Sequence, residues 1–357
     1  MTETLTKMTP RERVSRCMRG LKPDRLPIVV INSNTFMCLY YGVSVEEYVS
    51  NPEVCAEVNI KFIEEFEVDC DIIATGYILY GAGPELGVKW EFAGNNFPGF
   101  VDVPIKSEKD LDNFRLPSEP SGYFKTYLQA ITRIVDTLGN DYHLKASFLG
   151  PFSLVCFLHG IEETLMDMIM NPAFFQKCMR LGTELSVLSG KRLLSTGLRY
   201  PILNEIFLSP GIMNPNTYHS LVAPCDLEVQ RRVGPDVSPN SLAFMGLPND
   251  PESQKTDGAL FKAFFGVGES LEAIKEATRY RAAGFPFPAA ISGRALNSWD
   301  SERILSFLKA AVDLLIHEEG IYPTISLSSV QADTIENATD IAQKIKAVNA
   351  FRNEYRL

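Results

Sequence analysis

Tyr142-His-Leu-Lys-Ala-Ser-Phe-Leu-Gly-Pro-Phe-Ser-Leu-Val-Cys-Phe-Leu-His-Gly-Ile-Glu-Glu-Thr-Leu-Met-Asp-Met-Ile-Met170 carries two hydrophobic periods in succession. Leu144 to Leu149 is a short, mostly apolar run, and the chain then breaks at Gly150-Pro151. Beyond the break, apolar residues recur at helical spacing: Leu154, Phe157, Leu158, Ile161, Leu165, Met168 and Ile169. The pattern predicts a strand, a tight turn and an amphipathic helix. Such a strand and a one-striped helix bury each other only when the unit is repeated side by side, so the number of units decides the fold.

Upstream, Thr9-Pro-Arg-Glu12 has the form of a capping box and predicts a short helix to Arg19. Ile28 to Ile31 reads as the first strand, with the polar Asn32-Ser-Asn34 at its end. Val45 to Phe66 reads as a helix, and Cys70 to Ile78 as the second strand. Gly81 to Val103, rich in Gly, Asn, Pro and aromatic residues, fits a hairpin-like insertion before a helix over Tyr123 to Leu138. Downstream, the helix after Gly150 runs on to about Leu194 with a break near Asn171-Pro172. Tyr200 to Phe207 is a fourth strand, followed by a helix over Pro215 to Val233. Apolar runs at Ser241 to Gly246, Phe261 to Gly268, Phe287 to Gly293 and Tyr322 to Leu327 complete eight strands. Helical patterns at Leu271 to Ala283, Ser301 to Glu319 and Thr334 to Ala350 separate most of them. This is the signature of a (β/α)8 barrel of the TIM type, with an N-terminal helix and an insertion after strand two, in a single domain over residues 1–357. An open doubly wound sheet is the other arrangement of such units, but no GxGxxG or GxxxxGK[ST] follows any strand.

Composition narrows the function. The 357 residues, 45% of them hydrophobic, suffice for a large core. Lys plus Arg number 34 against 44 Asp plus Glu, a net charge of −10 with no basic run, which argues against a nucleic acid or an anionic membrane as partner. The seven cysteines form no CxxC pair, as expected of reduced thiols. With no signal-peptide pattern at the start and no apolar run long enough to span a bilayer, a cytoplasmic protein is expected.

Several stretches resemble the uroporphyrinogen decarboxylase superfamily, which includes corrinoid-linked methyltransferases. They are Thr9-Pro-Arg-Glu-Arg-Val14 with Pro23-Asp-Arg-Leu-Pro27, Gly150-Pro-Phe-Ser153 with Gly160-Ile-Glu-Glu163, Pro215-x-x-Tyr218 with Pro224, and Asp333-Thr-Ile-Glu-Asn337. The resemblance spans nearly the whole chain and implies an eight-stranded barrel. Members that decarboxylate uroporphyrinogen carry Arg-Gln-Ala-Gly-Arg-Tyr after strand one and a catalytic Asp at the end of strand two; here those places read Asn32-Ser-Asn-Thr-Phe-Met37 and Tyr77. Coenzyme M methyltransferases of the superfamily bind zinc through His-x-Cys and a later Cys on the last strand. No histidine here is followed two residues on by Cys, and the last strand reads Ser326-Leu-Ser-Ser329, so no thiolate zinc site is expected.

In a barrel the active site lies at the C-terminal strand ends. Glu205, an acid closing an otherwise apolar strand, reads as a general acid with its pKa raised by burial, or as a loop acid in solvent or paired with an arginine. Tyr77 reads as a hydrogen-bond donor to substrate or as a packed ring. These two are the candidate catalytic residues. Asn32, Asn34, Ser147, Phe152, Asn204, Met245, Arg294 and Ser328 are the candidate substrate-binding residues, with Thr75, Glu269, Ser292 and Ser326 at further strand ends. The histidines fit metal binding poorly: His219 and Cys225 are on different faces of one helix, His159 lies away from a strand end, His143 begins a strand at the barrel bottom, and His317 sits at a helix end. The resemblance, joined to the missing decarboxylase residues, implies a methyltransferase moving a methyl group from a small methylated substrate to a corrinoid, a cobalamin-type cofactor carried on a partner protein. The alternatives are decarboxylation of a small or tetrapyrrole carboxylate, with Arg294 holding the carboxylate, and a barrel without chemistry acting as a binding subunit.

Overall fold

The computed structural model describes residues 7–31, 33–74, 83–92, 98–208, 212–239, 269–279, 287–328 and 330–357. Its strands are β1 (Ile28–Ile31), β2 (Cys70–Ile72), β3 (Lys89–Glu91), β4 (Gly99–Asp102), β5 (His143–Leu149), β6 (Tyr200–Asn204), β7 (Ser238–Pro239), β8 (Pro288–Ser292) and β9 (Thr324–Ser328). Seven of them form one sheet in the order β7-β6-β5-β2-β1-β9-β8, and every pairing in it is parallel. Parallel neighbours require crossovers, and helices supply them on one face, which is the (β/α)8 barrel architecture. The two ends of the described sheet, β7 and β8, flank the part of the chain that holds the expected strands Ser241–Gly246 and Phe261–Gly268. Both of those lie outside the described residues. β3 and β4 form the expected antiparallel insertion after the second strand.

Several helices depart from the sequence pattern for local reasons. The expected helix Val45–Phe66 is two, Val45–Ser50 and Pro52–Glu65, because Asn51 caps the second by accepting from the Glu53 and Val54 N–H groups and Pro52 opens it. The stretch Pro215–Val233 divides likewise at Val222, just before Pro224. Gly160, at φ 103°, separates the helices Pro151–His159 and Ile161–Met170, and the third helix, Pro172–Leu194, begins at the expected break. An additional helix, Asn34–Tyr41, follows β1 directly and closes on Gly42 at φ 70°. The capping box at Thr9 and Glu12 is present, and it starts the helix Pro10–Met18. Among the described residues no helix is long and apolar enough to cross a membrane.

Register decides which side chains face the helices and which face the lumen. Ile28, Val30, Leu144, Ala146, Phe148, Leu203, Ile291, Ile325 and Leu327 belong to the main core, between the sheet and the helix layer. The alternate positions point inward, where Val29 and Cys70 pack on Val14 of the helix Pro10–Met18, which floors the barrel. The inner face is mixed: Ile31, Ile72, Lys145, Tyr200 and Ile202 are half-buried, whereas Val29, Cys70, His143, Ser147, Ser326 and Ser328 are buried.

Two buried acids two residues apart show how the floor is held. Asp69 accepts from the Ile28 N–H at 2.8 Å, from Arg352 Nη1 at 2.7 Å and from Arg13 Nη1. Arg13 also holds Asp24 at 2.6 Å and 2.9 Å, so one carboxylate ties the first helix, the Pro23–Pro27 connector and the last helix, Ile335–Glu354, to β1. Asp71 shares its row with Val30 and Leu144, so its carboxyl enters the apolar layer under the helices. Neither of its oxygens meets a hydrogen-bond partner among the described residues, and burial pushes its pKa well above the ordinary carboxylate range.

The two acids therefore respond oppositely to removal of charge. Asp69→Asn removes the buried carboxylate that Arg13 and Arg352 share, leaving them Asp24 and Glu67, and a loss of about 3 to 5 kcal/mol is expected in urea unfolding. Asp71 has a folded pKa above its unfolded one, so its contribution is intact below the unfolded pKa and is lost as pH rises toward the folded value. Asp71→Asn removes this dependence. The variant should gain on the parent by about 1.4 kcal/mol for each pH unit crossed in that window, read from unfolding curves between mildly acidic and neutral pH. A gap that stays constant with pH would refute the assignment.

Candidate functional site

The turn Gly150-Pro151 creates a local requirement that the rest of the site answers. A helix leaves its first N–H groups without intrahelical acceptors, and the cap residue Gly150 has no side chain to offer. Glu205, the first residue past β6, supplies the acceptor from another segment. Its Oε1 accepts from the Phe152 N–H at 2.9 Å, and its Oε2 accepts from the Ser153 N–H at 2.7 Å and the Ser153 hydroxyl at 2.6 Å. The Ile206 N–H donates back to Ser153 Oγ at 2.8 Å, which closes the loop between the two strand ends. A carboxyl at a helix N-terminus also meets the positive end of the helix dipole.

Glu205 is 3% exposed, and Asp226, on the helix Ala223–Val233, lies against it, wholly buried and accepting from the Tyr218 hydroxyl at 3.0 Å. Burial, and after it the Asp226 carboxyl, pushes Glu205 well above the carboxylate range, against the lowering effect of Ser153 and the Phe152 N–H. Two adjoining buried carboxyls do not both ionise, so the pair shares a proton. Glu205 is thus not a loop acid in solvent, and among the described residues no arginine pairs with it. Its pKa is raised as the strand-end reading expected, but both of its oxygens are engaged behind the barrel mouth. Sequence reasoning missed Ser153, Tyr218 and Asp226. The available signal was a Gly-Pro helix start with no capping side chain, which calls for an acid from elsewhere.

At the mouth itself, Ser147 and Asn204 face the lumen from β5 and β6, and Ser326 and Ser328 from β9. Ser147 and Ser328 are buried, and the Ser147 carbonyl accepts from the Tyr127 hydroxyl at 2.7 Å. Ser292 ends β8, caps the helix Gly293–Ser298 and donates to Glu269 Oε1, which places a half-buried carboxylate on the rim. Asn34 is buried at the start of its helix, where its side chain accepts from the Thr35 N–H. Phe152 contributes its N–H to Glu205 while its ring packs in the second core cluster, with Leu149 and Leu158. Arg294 is exposed on the rim helix. Asn32, Thr75, Tyr77 and Met245 lie outside the described residues.

Among the described residues no three His, Cys, Asp or Glu side chains converge as a metal site would need. His143 stacks on Tyr200 at 3.9 Å between ring centroids, and burial lowers it to about 2. His159 is held between the Ile105 carbonyl at 2.8 Å and Asp167 at 2.9 Å, and His317 is exposed. The last strand offers Ser326 and Ser328, hydroxyls that bind zinc poorly beside thiolates. The described residues do not fit a thiolate zinc centre.

Residues 9–242 match the model of the family described as uroporphyrinogen decarboxylase (URO-D). Over 172 residues, 44% of this chain and 46% of the relative, it is 26% identical to the methylcobamide:CoM methyltransferase MtbA of Methanosarcina mazei. The corresponding protein of Methanosarcina acetivorans is 25% identical over the same length. The chain spans about half the length of these relatives. In three dimensions it is similar to a solved methyltransferase from Methanosarcina mazei, with a TM-score of 0.73 at 15% identity, covering 96% of this chain and 99% of that one. That likeness is one of fold.

The Gly150–Glu205 contact can be tested by a double-mutant cycle. A Cβ built on Gly150 would lie 2.3 Å from Glu205 Cδ, and the carboxyl is pinned by three hydrogen bonds. Gly150→Ala should therefore cost about 1 to 3 kcal/mol in the parent and clearly less in a Glu205→Ala background, where the obstructing group is gone. Equal costs in both backgrounds, measured by chemical denaturation, would show that the contact is not tight.

Proposed function

Because this chain belongs to the uroporphyrinogen decarboxylase family, we propose that it works in the methyltransferase branch of that family and moves a methyl group from a small methylated compound to a corrinoid carried by a partner protein. The observation that carries the reading is the likeness to methylcobamide:CoM methyltransferases, joined to the hydroxyl and amide side chains Ser147, Asn204 and Ser328 at the inner strand ends. The substitution of Asn32-Ser-Asn-Thr-Phe-Met37 and Tyr77 for the arginine-bearing segment and aspartate of the decarboxylases points the same way. The partner's corrinoid supplies a reduced cobalt nucleophile when the two proteins meet.

The work left to this chain is to orient the donor and to manage a proton. When the methyl carbon leaves its heteroatom, the bonding electron pair stays on the heteroatom, which then needs a proton or a hydrogen-bond donor. Ser147, Asn204 and Ser328 line the lumen mouth and are assigned to hold the donor. Tyr77 is assigned to donate to the departing heteroatom, and Asn32, Asn34, Phe152, Met245 and Arg294 complete the expected substrate set. Glu205 is assigned a positioning role, because both its oxygens hold the helix start that carries Phe152 and Ser153. It acts on the lumen through Asn204, its neighbour in sequence.

The test is incubation of the purified chain with a corrinoid protein reduced to cob(I)alamin and a panel of methoxylated aromatics and methylamines, following the corrinoid absorption spectrum. Methylation by at least one donor is expected. Silence across the panel, with the carrier shown to accept a methyl group chemically, would overturn the assignment.

A further inference from the structure

His159 offers both ring nitrogens to acceptors, and this makes one proton part of the structure. The ring is buried at the end of the helix Pro151–His159, edge-on to Phe174 at 5.3 Å between centroids. Nδ1 lies 2.8 Å from the Ile105 carbonyl, which can only accept, so Nδ1 carries a hydrogen. Nε2 lies 2.9 Å from Asp167 Oδ2, on the helix Ile161–Met170. That contact needs a proton of its own, on the ring or on the carboxyl. A neutral imidazole facing a carboxylate there would set one lone pair against another, and the ring would keep either Ile105 or Asp167 but not both.

The Ile105 contact fastens the insertion. Ile105 lies just past β4, and its N–H donates to the Leu158 carbonyl at 2.9 Å, so both backbone groups of one residue meet the last turn of the helix Pro151–His159. β4 sets Phe100 on Phe157 at 4.7 Å between centroids, and Phe157 meets Phe207, close to Glu205 in sequence, at 4.9 Å. The charges around the ring are placed elsewhere: Lys106 on Asp102 at 2.6 Å, Lys177 on Glu108 at 2.7 Å, and Glu163 back over Gly160. The Cys156 and Cys178 thiols are neutral, since burial pushes both up. We propose that His159 and Asp167 form a proton-operated clamp, which sets how firmly the insertion β3–β4 is held on the helix Pro151–His159. The clamp is complete while the bridging proton is present, and it falls short by one bond as pH rises and that proton leaves. Glu205 holds the other end of the same helix, so the clamp makes the firmness of the wall beside the strand ends depend on pH. It rests on these contacts and not on methyl transfer.

The experiment is hydrogen exchange of the Ile105 amide in the full chain, followed by NMR from about pH 5.5 to about pH 8.5, across the ordinary imidazole range. Protection factors are used, so that the pH dependence of intrinsic exchange is removed. In the parent, protection should fall about 5- to 10-fold toward the alkaline end, the worth of one hydrogen bond. Asp167→Asn places a carboxamide that can donate to Nε2 of the neutral ring, so both contacts are made without the extra proton and protection should not change with pH. His159→Asn offers an amide donor in place of Nδ1 and has nothing to titrate, so its protection should also stay level. Unfolding midpoints check that both variants are folded. Level protection in the parent, or a fall in either folded variant equal to the parent's, overturns the clamp.

Discussion

The barrel depends on a carboxylate that never reaches solvent. Asp69 precedes β2, and its two oxygens hold Arg13 from the first helix, Arg352 from the last helix and the first N–H of β1. A closed parallel sheet has no edge to stabilise by itself, and its strands reach one another only through crossovers, so the beginning and end of the chain must be brought to the same place. Asp69 does this at the floor. Both arginines are buried, so the shared anion, with Asp24 beside Arg13 and Glu67 beside Arg352, offsets their desolvation. The helix Pro10–Met18 can then cap the lumen floor with Val14 and Met18.

This tie could not be read from the sequence, for a physical reason. Its members are 56 and 283 residues apart, and none lies in a periodic pattern that separates it from an ordinary surface charge. The repeated strand-helix units were legible because periodicity is local: a 2-residue period followed by a 3.6-residue period needs no knowledge of the partner. The helix divisions at Pro52 and Pro224 were local as well, and were passed over because the apolar spacing continues across them. The helix Asn34–Tyr41 was missed because apolar and aromatic residues fill it all round, which leaves no amphipathic stripe to detect.

At the site, position was legible and task was not. Glu205 was singled out because a carboxylate ends an apolar strand, and it does end β6 in a place where burial raises its pKa. What it touches depends on Gly150, Ser153 and Asp226, which come from a turn and a helix on other segments. The orphaned N–H groups of the helix Pro151–His159 explain why an acid is required there, and the missing Cβ of Gly150 explains how it fits. The same residue that looks like a catalyst in sequence is thereby drawn into holding the frame of the mouth.

The lumen gives a different case. Apart from Asp71, outward residues of the strands are buried and apolar because helices cover them, whereas on the inner side Ile31, Lys145, Tyr200 and Ser292 keep contact with water and Val29, Cys70, Ser147 and Ser328 do not. The treatment of two lysines makes the point. Lys344 is 6% exposed, and the fold provides it with the Leu296 carbonyl at 2.8 Å and Asp340 at 2.6 Å. Half-buried Lys145, on the inner side of β5, meets no such partner among the described residues.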